Sequence, residues 1–349
     1  MLKSVLCLML ILYMTMSGRK GAKRYMREIT YTVALREAIT EEMENDKNVF
    51  LIGEDIADFG GVFGVTKGLL DKFGRNRVRQ TPISEGAIIG AAVGSAMTGI
   101  RPIAEIMYVD FITFGIDQMV NQAAKLGYMS AGAVKVPLVV RAQQGCGTCE
   151  AAQHSQQLEA WFMHTPGLKV AMPSDAYDAK GLLKIAIRDD NPVVFLEHRL
   201  LYATKQNVPD ETWTVPFGKA AIKRKGKEIT VVATSFCVHK ALAAAEKLSG
   251  KIDVEVIDPR TLVPLDIDTI TESVKKTGRL LVVHESVTQC GVGAEIVRQV
   301  MEKCFRSLKS VPKVLGGASI PMPFSRVLEE KAIPQELDII ETVEKMIKE

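Results

Sequence analysis

Short apolar runs alternate with helix-length segments through most of the chain, and this alternation constrains the fold more than any other feature. Residues 49–52, 101–107, 137–141, 168–172 and 193–197 read as buried strands, with a shorter one at 77–80. Leu35, Ala38, Ile39 and Met43 recur at helical spacing, as do Ile116, Met119, Val120 and Ala123 within a helix expected over 112–126. A further helix is expected over 175–187. Short strands apolar on both faces, joined by helices, fit a mainly parallel sheet covered on both sides. The expected fold class is α/β, and in such folds ligands sit at the carboxyl ends of the strands.

The pattern pauses and then restarts. Lys205, Gln206, Asn207, Pro209, Asp210 and Glu211 form a polar, proline-bearing stretch. Beyond it, strands are expected at 229–233, 254–257 and 279–284, with helices over 238–248, from Asp266 and over 293–304. A chain of 349 residues, 47% of them hydrophobic, is long enough for two cores. The expected organisation is a leader over 1–25, a first domain over 26–203, a linker over 204–216 and a second α/β domain over 217–349.

The formal net charge of +3 misleads, because Lys3, Arg19, Lys20, Lys23 and Arg24 all fall in the leader, which carries no acid and leaves the remainder at −2. No basic stripe interleaves with aromatics, so nucleic acid is not an expected partner. The apolar run at 5–14 resembles the hydrophobic region of a signal peptide, but the basic cluster follows it and no small-x-small cleavage site appears. It is too short to span a bilayer comfortably, so no stable membrane span is expected. The foldable sequence begins immediately after Met26, which is the favoured start. Six irregularly spaced cysteines form no disulfide framework and suit a reducing compartment, the cytoplasm or, in a eukaryote, the mitochondrial matrix.

Several residues carry candidate chemistry. Glu85 opens a helix whose body is glycine, alanine and isoleucine. It reads either as an acid favouring the helix dipole or as a buried carboxylate that needs a hydrogen-bonded ligand. Glu54, Phe111 and His154 follow strands and can line the same crevice. His154 sits among Gln153, Ser155 and Gln156 after a glycine-rich loop, where a helix is expected to begin. It is either a proton-transfer group or a helix-start histidine satisfied by its neighbours, whereas His164, His198 and His239 are assigned no role. Cys146-Gly147-Thr148-Cys149 is either a dithiol or metal pair or a glycine turn, and no second ligand pair is present to close a zinc site. Phe59-Gly60-Gly61-Val62-Phe63-Gly64 lacks the Lys-Ser/Thr ending of a phosphate loop. Asp258-Pro259-Arg260 and His284-Glu285-Ser286 stand at strand ends, where catalysis and turn chemistry explain them equally well.

Taken in order, several runs resemble the beta chain of thiamine-diphosphate-dependent 2-oxo acid dehydrogenases, a group that includes pyruvate, branched-chain and acetoin dehydrogenases. They are Thr81-Pro82-Ile83-Ser84-Glu85, Arg101-Pro102-Ile103-Ala104-Glu105-Ile106, Asp110-Phe111, Ala152-Gln153-His154-Ser155, His164-Thr165-Pro166-Gly167-Leu168-Lys169-Val170, Ala186-Ile187-Arg188-Asp189-Asp190-Asn191-Pro192 and Gly291-Val292-Gly293-Ala294-Glu295. The resemblance covers residues 26–349.

The resemblance implies a thiamine-diphosphate-binding, transketolase-like pyrimidine domain followed by a transketolase C-terminal domain, paired with an alpha subunit as α2β2. Glu85 matches the glutamate that hydrogen-bonds the cofactor's pyrimidine nitrogen and favours its imino tautomer. Phe111 matches the aromatic that packs on that ring, and Glu54 matches an acid near the cofactor. His154 matches a histidine used in proton handling and in acylation of the lipoyl group of a dihydrolipoyl acyltransferase core. Leu138, Ala186, Ile187, Asp189 and Asn191 match positions that bind potassium in some members. The paired cysteines before His154 depart from the family's usual loop. The Gly-Asp-Gly followed by Asn pattern that anchors magnesium and the diphosphate is missing, as expected if the alpha subunit holds that end. The implied reaction is oxidative decarboxylation of a 2-oxo acid, with pyruvate the first choice and acetoin or branched-chain acids the alternatives. A non-catalytic scaffold subunit is the rival from a different class.

Overall fold

The structure is a computed structural model that describes residues 25–349. The leader expected over 1–25 lies outside the described residues except for Tyr25. In chain order the strands are β1 (Met26–Thr30), β2 (Val49–Glu54), β3 (Val78–Thr81), β4 (Arg101–Tyr108), β5 (Val139–Gln144), β6 (Lys169–Ala171) and β7 (Val193–His198). They continue with β8 (Lys205–Pro209), β9 (Ala221–Arg224), β10 (Ile229–Ala233), β11 (Val254–Asp258), β12 (Thr261–Val263), β13 (Leu280–Val287) and β14 (Lys313–Gly317). The long helices are α1 (Tyr31–Asn45), α2 (Glu85–Ala96), α3 (Ala176–Arg188), α4 (Cys237–Lys247), α5 (Ile267–Thr277), α6 (Val292–Cys304) and α7 (Glu336–Lys348).

The helices begin where the sequence supplies caps: Thr30, Asp175 and Asp266 each accept a backbone N–H of the first turn of α1, α3 and α5. The strands assemble because their apolar residues fall in rows. Leu51 stands opposite Ile103, Ile103 opposite Val139 and Val139 opposite Val193. This row is buried against Leu35 and Ile39 of α1 and Leu182 and Leu183 of α3. The next row, Ile52, Ala104, Val140 and Val194, faces the other way, onto Ile88 and Ile89 of α2. Each large aliphatic side chain buried in this way contributes about 1.5–3 kcal/mol.

The result is a seven-stranded sheet in the order β12-β6-β7-β5-β4-β2-β3, parallel except for β12. A five-stranded sheet, β14-β13-β10-β11-β9, is parallel except for β9. The two halves interlock. Strand β12 belongs to the second half of the chain yet pairs with β6 of the first sheet, and Val232 and Val282 of the second sheet join the core under α2. Among the described residues no helix is long and apolar enough to cross a membrane.

Two local expectations change. The stretch expected as a linker over 204–216 contains β8, which pairs antiparallel with β1 from Met26↔Pro209 to Thr30↔Lys205. Its polarity fits a two-stranded ribbon with open edges. The helix expected over 112–126 is instead a series of shorter pieces: an α turn at Val109–Ile112, a 3₁₀ turn at Thr113–Gly115, a π-helical stretch at Gln118–Ala123 and an α turn at Ala124–Met129. The ladder departs from α geometry where two glycines bring this segment close to α2. A Cβ on Gly115 would lie 2.4 Å from Ile89 Cδ1, and one on Gly86 would lie 2.9 Å from the Phe114 carbonyl oxygen.

Candidate active site

Four adjacent strands of the large sheet end at one edge and carry the expected residues there. Glu54 is the last residue of β2 and stands opposite Thr81, from which Pro82, Ile83 and Ser84 lead to Glu85 at the start of α2. Strand β4 ends at Tyr108, three residues before Phe111, and β5 ends at Gln144, ahead of the loop that holds His154. Phe111 and His154 meet edge to face with ring centroids 5.3 Å apart, and Tyr108 meets the same imidazole at 4.9 Å. Phe63 and Phe111 flank Tyr108 at 6.0 and 5.8 Å, and the Arg199 guanidinium lies 5.3 Å from its ring centre.

The two acids of this edge feel each other. Partial burial raises the pKa of Glu54, and the nearby charges of Asp55 and Glu85 raise it further. Glu85 is half-buried in the first turn of α2, and its carboxylate makes no hydrogen bond or ion pair among the described residues. Deeper in the edge, Asp110 accepts the Gln156 backbone N–H at 3.3 Å and the Gln156 side-chain amide at 2.8 Å through Oδ1. Its Oδ2, like Thr81 Oγ1, is buried without a hydrogen-bond partner among the described residues.

His154 lies in a loop, not at a helix start, since the next helical turn is Glu159–Met163. Its imidazole packs in the aromatic cluster while its carbonyl accepts Arg199 Nη2. Arg199 also binds Thr148 Oγ1 at 2.6 Å and pairs with Glu150. The loop leaves β5 through Gly145 at φ +108°, where a Cβ would fall 2.3 Å from His198 Nε2, so only glycine fits.

The other residues singled out in the sequence make contacts within the fold. Cys146 is buried, its Sγ contacts the Ser155 carbonyl at 3.4 Å, and burial with the Glu285 and Glu329 charges pushes its thiol up. Cys149 is also free and also raised, and no group of three or more metal-ligating side chains occurs among the described residues. Gly145 and Gly147, both at positive φ, turn the chain here. The carbonyls matched to a potassium site are already engaged: Val193 N donates to Leu138 O and Asp189 N to Ala186 O. Arg101 Nη1 donates to Ile187 O at 3.2 Å and Asp189 O at 2.9 Å. Asn191 turns its side-chain amide to Asp189 Oδ1, whose partner oxygen pairs with Lys169. The guanidinium is the cation that the Ile187 and Asp189 carbonyls hold. Asp258 and Arg260 belong to a buried charge network with Lys223 and Asp178, and Glu285 binds His198 and Lys240.

The sequence compares closely with known proteins. Residues 27–205 match the transketolase pyrimidine-binding domain and residues 218–339 the transketolase C-terminal domain. The pyruvate dehydrogenase E1 component subunit beta of Rickettsia felis is 48% identical over 320 residues, 91% of this chain and 98% of that protein. The chain belongs to the family of 2-oxo acid dehydrogenase E1 beta subunits. Within that family the acetoin:2,6-dichlorophenolindophenol oxidoreductase subunit beta of Cupriavidus necator is 46% identical over 92% of this chain and 98% of its own length. A solved structure described as a split-gene transketolase, inactive beta4 tetramer, superposes with a TM-score of 0.76 at 21% identity, covering 92% of this chain and 98% of that one, which shows a shared fold.

For an E1 beta subunit the implied cofactor is thiamine diphosphate, and the strand edge fits its pyrimidine half. A half-buried carboxylate without a partner, an apolar aromatic wall and buried polar atoms of Thr81 and Asp110 free to bond suit a flat, nitrogen-rich ring. Among the described residues the cation noted at this edge, Arg199, is already paired with Glu150. Sequence reasoning missed Tyr108, Arg199 and His198. The contacts of Tyr108 with Phe63 and His154, of Arg199 with Glu150 and of His198 with Glu285 join distant segments, so no local spacing announced them.

Proposed function

We propose that this chain is the beta half of a pyruvate-oxidising E1 component, with thiamine diphosphate held between it and an alpha subunit that also supplies the magnesium site. The convergence of Glu85, Phe111 and His154 on one sheet edge carries this reading. Bound thiamine diphosphate supplies the nucleophilic carbon and the electron sink for decarboxylating a 2-oxo acid. The chain's own groups prepare and protect that chemistry. Glu85 accepts a hydrogen bond from the pyrimidine ring, and Phe111 with Tyr108 forms the wall that keeps water from it. Glu54, with its raised pKa, keeps a proton to higher pH than an ordinary glutamate beside Glu85. His154, set in the cleft against Tyr108 and Phe111, moves the proton that accompanies acyl transfer to a lipoyl group on a dihydrolipoyl acyltransferase.

The alpha subunit supplies the other half of the cofactor cradle, in an α2β2 assembly of the kind the family resemblance implies. It works in a reducing compartment, which suits the free thiols. Acetoin cleavage on the same site is the second reading, favoured by the relative from Cupriavidus necator, whose identity to this chain is close to that of the pyruvate dehydrogenase subunit.

The test is co-expression with the alpha partner and assay of thiamine-dependent turnover of pyruvate and of acetoin, for wild type and Glu85→Gln. Loss of about a hundredfold or more in the variant supports the cofactor role. Full activity in the variant overturns it, and a wild-type pair inactive on every 2-oxo acid and on acetoin points to a scaffold subunit. Tight thiamine diphosphate binding by this chain alone would contradict the divided site.

A further inference from the structure

The loop that delivers His154 is held from across the domain junction. Glu329, on the short helix Arg326–Ala332 of the second half, is 1% exposed. Its Oε1 accepts the Gly147 backbone N–H at 2.8 Å and its Oε2 accepts that of Cys149 at 3.1 Å. Glu285 of β13 adds an acceptor for the Cys146 N–H at 3.2 Å and for the Gln157 side-chain amide at 2.9 Å. Three amides within four residues therefore point at two carboxylates of the other domain. The backbone between them is strained, with φ of +102° at Gly147, +59° at Cys149 and +61° at Ala151. Left-handed non-glycine residues cost about 1–3 kcal/mol each and persist only where the surroundings over-determine them. Charge-assisted hydrogen bonds to a buried carboxylate are a sufficient cause. His154 follows Cys149 by five residues, and its ring must reach the wall made by Tyr108 and Phe111.

We propose that Glu329 is a positioning residue for His154: by binding the Gly147 and Cys149 amides it fixes the strained loop, and thereby makes proton transfer at His154 depend on the second domain. The proposal rests on the reading of His154 as a proton-transfer group. Glu329 touches neither the aromatic cluster nor the α2 start, so the residues expected to bind the cofactor are left in place when it is changed. An amide in place of the carboxylate keeps one acceptor oxygen and turns an N–H₂ toward the other backbone N–H, so the isosteric variant loses half of the clamp.

The experiment uses the reconstituted assembly with its alpha partner, on whichever of pyruvate or acetoin it turns over. Glu329→Ala is expected to lower kcat by about tenfold or more, with KM and thiamine diphosphate affinity within about twofold of wild type, and Glu329→Gln is expected to fall between. His154→Ala combined with Glu329→Ala is expected to be no slower than His154→Ala alone, because both changes remove the same contribution. Hydrogen exchange at amides 146–156 is expected to speed up in both Glu329 variants while the rest of the chain keeps its protection. Wild-type kcat in Glu329→Ala, full multiplication of the two losses in the double variant, or unchanged exchange in the loop would each overturn the proposal. If His154→Ala itself turns over at the wild-type rate, the proton-transfer reading fails. A faster-exchanging loop in Glu329→Ala would then show the clamp to be a structural brace only, which also overturns the positioning role. Glu329→Gln, nearly the same shape, provides the readout if the alanine variant does not assemble.

Discussion

His198 Nε2 and a carboxylate oxygen of Glu285 lie 2.9 Å apart, although one residue ends β7 of the large sheet and the other sits in β13 of the small one. The Leu200 N–H donates to His198 Nδ1 at 3.2 Å, which leaves Nε2 to donate to Glu285. The same carboxylate meets Lys240 at 3.3 Å. Burial alone would raise the Glu285 pKa, but His198, Lys240 and the Cys146 amide outweigh it and hold the carboxyl down at about 2.

A folded-state pKa below the unfolded one means that this group's stabilisation is fully present above pH about 4.5 and is lost as pH falls toward about 2. Glu285→Gln removes that dependence and leaves Lys240 without its carboxylate. The expected loss at pH 7 is about 3 kcal/mol, read as a lower thermal midpoint, with a flatter decline of the midpoint between pH 4.5 and 2 than wild type shows. An unchanged midpoint at pH 7 would sink this account.

Gly145 tests the same junction from the other side. At φ +108° and with His198 Nε2 2.3 Å from the position a Cβ would take, Gly145→Ala suffers both backbone strain and a clash with a ring that is itself hydrogen-bonded. The expected cost is on the order of 3 kcal/mol, with loss of turnover in the assembled enzyme because the loop to His154 starts here. Gly94→Ala is the control, since a Cβ on Gly94 meets nothing within 4 Å. It is expected to leave the chain's own stability the same or slightly higher in a thermal scan. A Gly145→Ala chain as stable as the control would show that the loop can be rebuilt.

These two positions also show how far the sequence could be read. The strand rows were legible because Leu51, Ile103, Val139 and Val193 sit in apolar runs, and Glu85 was legible because it opens a helix with no other polar side chain before Ser95. Glu54, Phe111 and His154 each follow a strand in the sequence; the structure brings Phe111 and His154 into contact and sets Glu54 beside Glu85. What stayed hidden depends on contacts between distant segments. His198 is assigned no role from the sequence, and its meaning comes from Glu285, 87 residues later. The polar segment around Asn207 read as a linker because a two-stranded ribbon needs no apolar alternation. The π-helical stretch at Gln118–Ala123 follows the close approach of Gly115 to Ile89, a tertiary contact that periodicity does not register.

Asp258 makes a prediction of opposite sign. It is wholly buried, and burial together with Asp178 raises its pKa to about 7 despite Lys223, the Ser174 hydroxyl and the Arg260 amide. A carboxyl whose folded pKa lies above its unfolded one favours folding at low pH, and this contribution is lost as pH rises from about 3.8 to about 7. Asp258→Asn keeps the shape and removes the charge, so its thermal midpoint at pH 8 is expected to equal or exceed that of wild type. Asp175→Asn, which removes a carboxylate that burial would raise but that Lys223, the Asp178 amide and Arg260 hold below its ordinary value, leaves Lys223 short of counter-charge and is expected to lose about 3 kcal/mol. Equal losses in the two variants would refute the distinction.

Arg101 decides whether the carbonyls after α3 can hold a metal ion. Its guanidinium donates to Ile187 O and Asp189 O and pairs with Asp190 at 2.6 Å, so a second cation against the same oxygens would have to displace a fixed charge. The thermal midpoint of the wild-type chain is therefore expected to be the same in potassium and sodium chloride at equal ionic strength. Arg101→Ala is expected to lose about 2 kcal/mol, because buried carbonyls lose their donor, and to recover part of that loss in potassium more than in sodium. Asp190→Ala separates the two effects: it removes the partly exposed ion pairs to Arg101 and Lys135 and leaves both carbonyl bonds in place, so it should lose less than about 1 kcal/mol and show no cation preference. A wild-type midpoint that rises specifically with potassium would mean that the oxygens yield Arg101 to the ion, and the guanidinium assignment would fall.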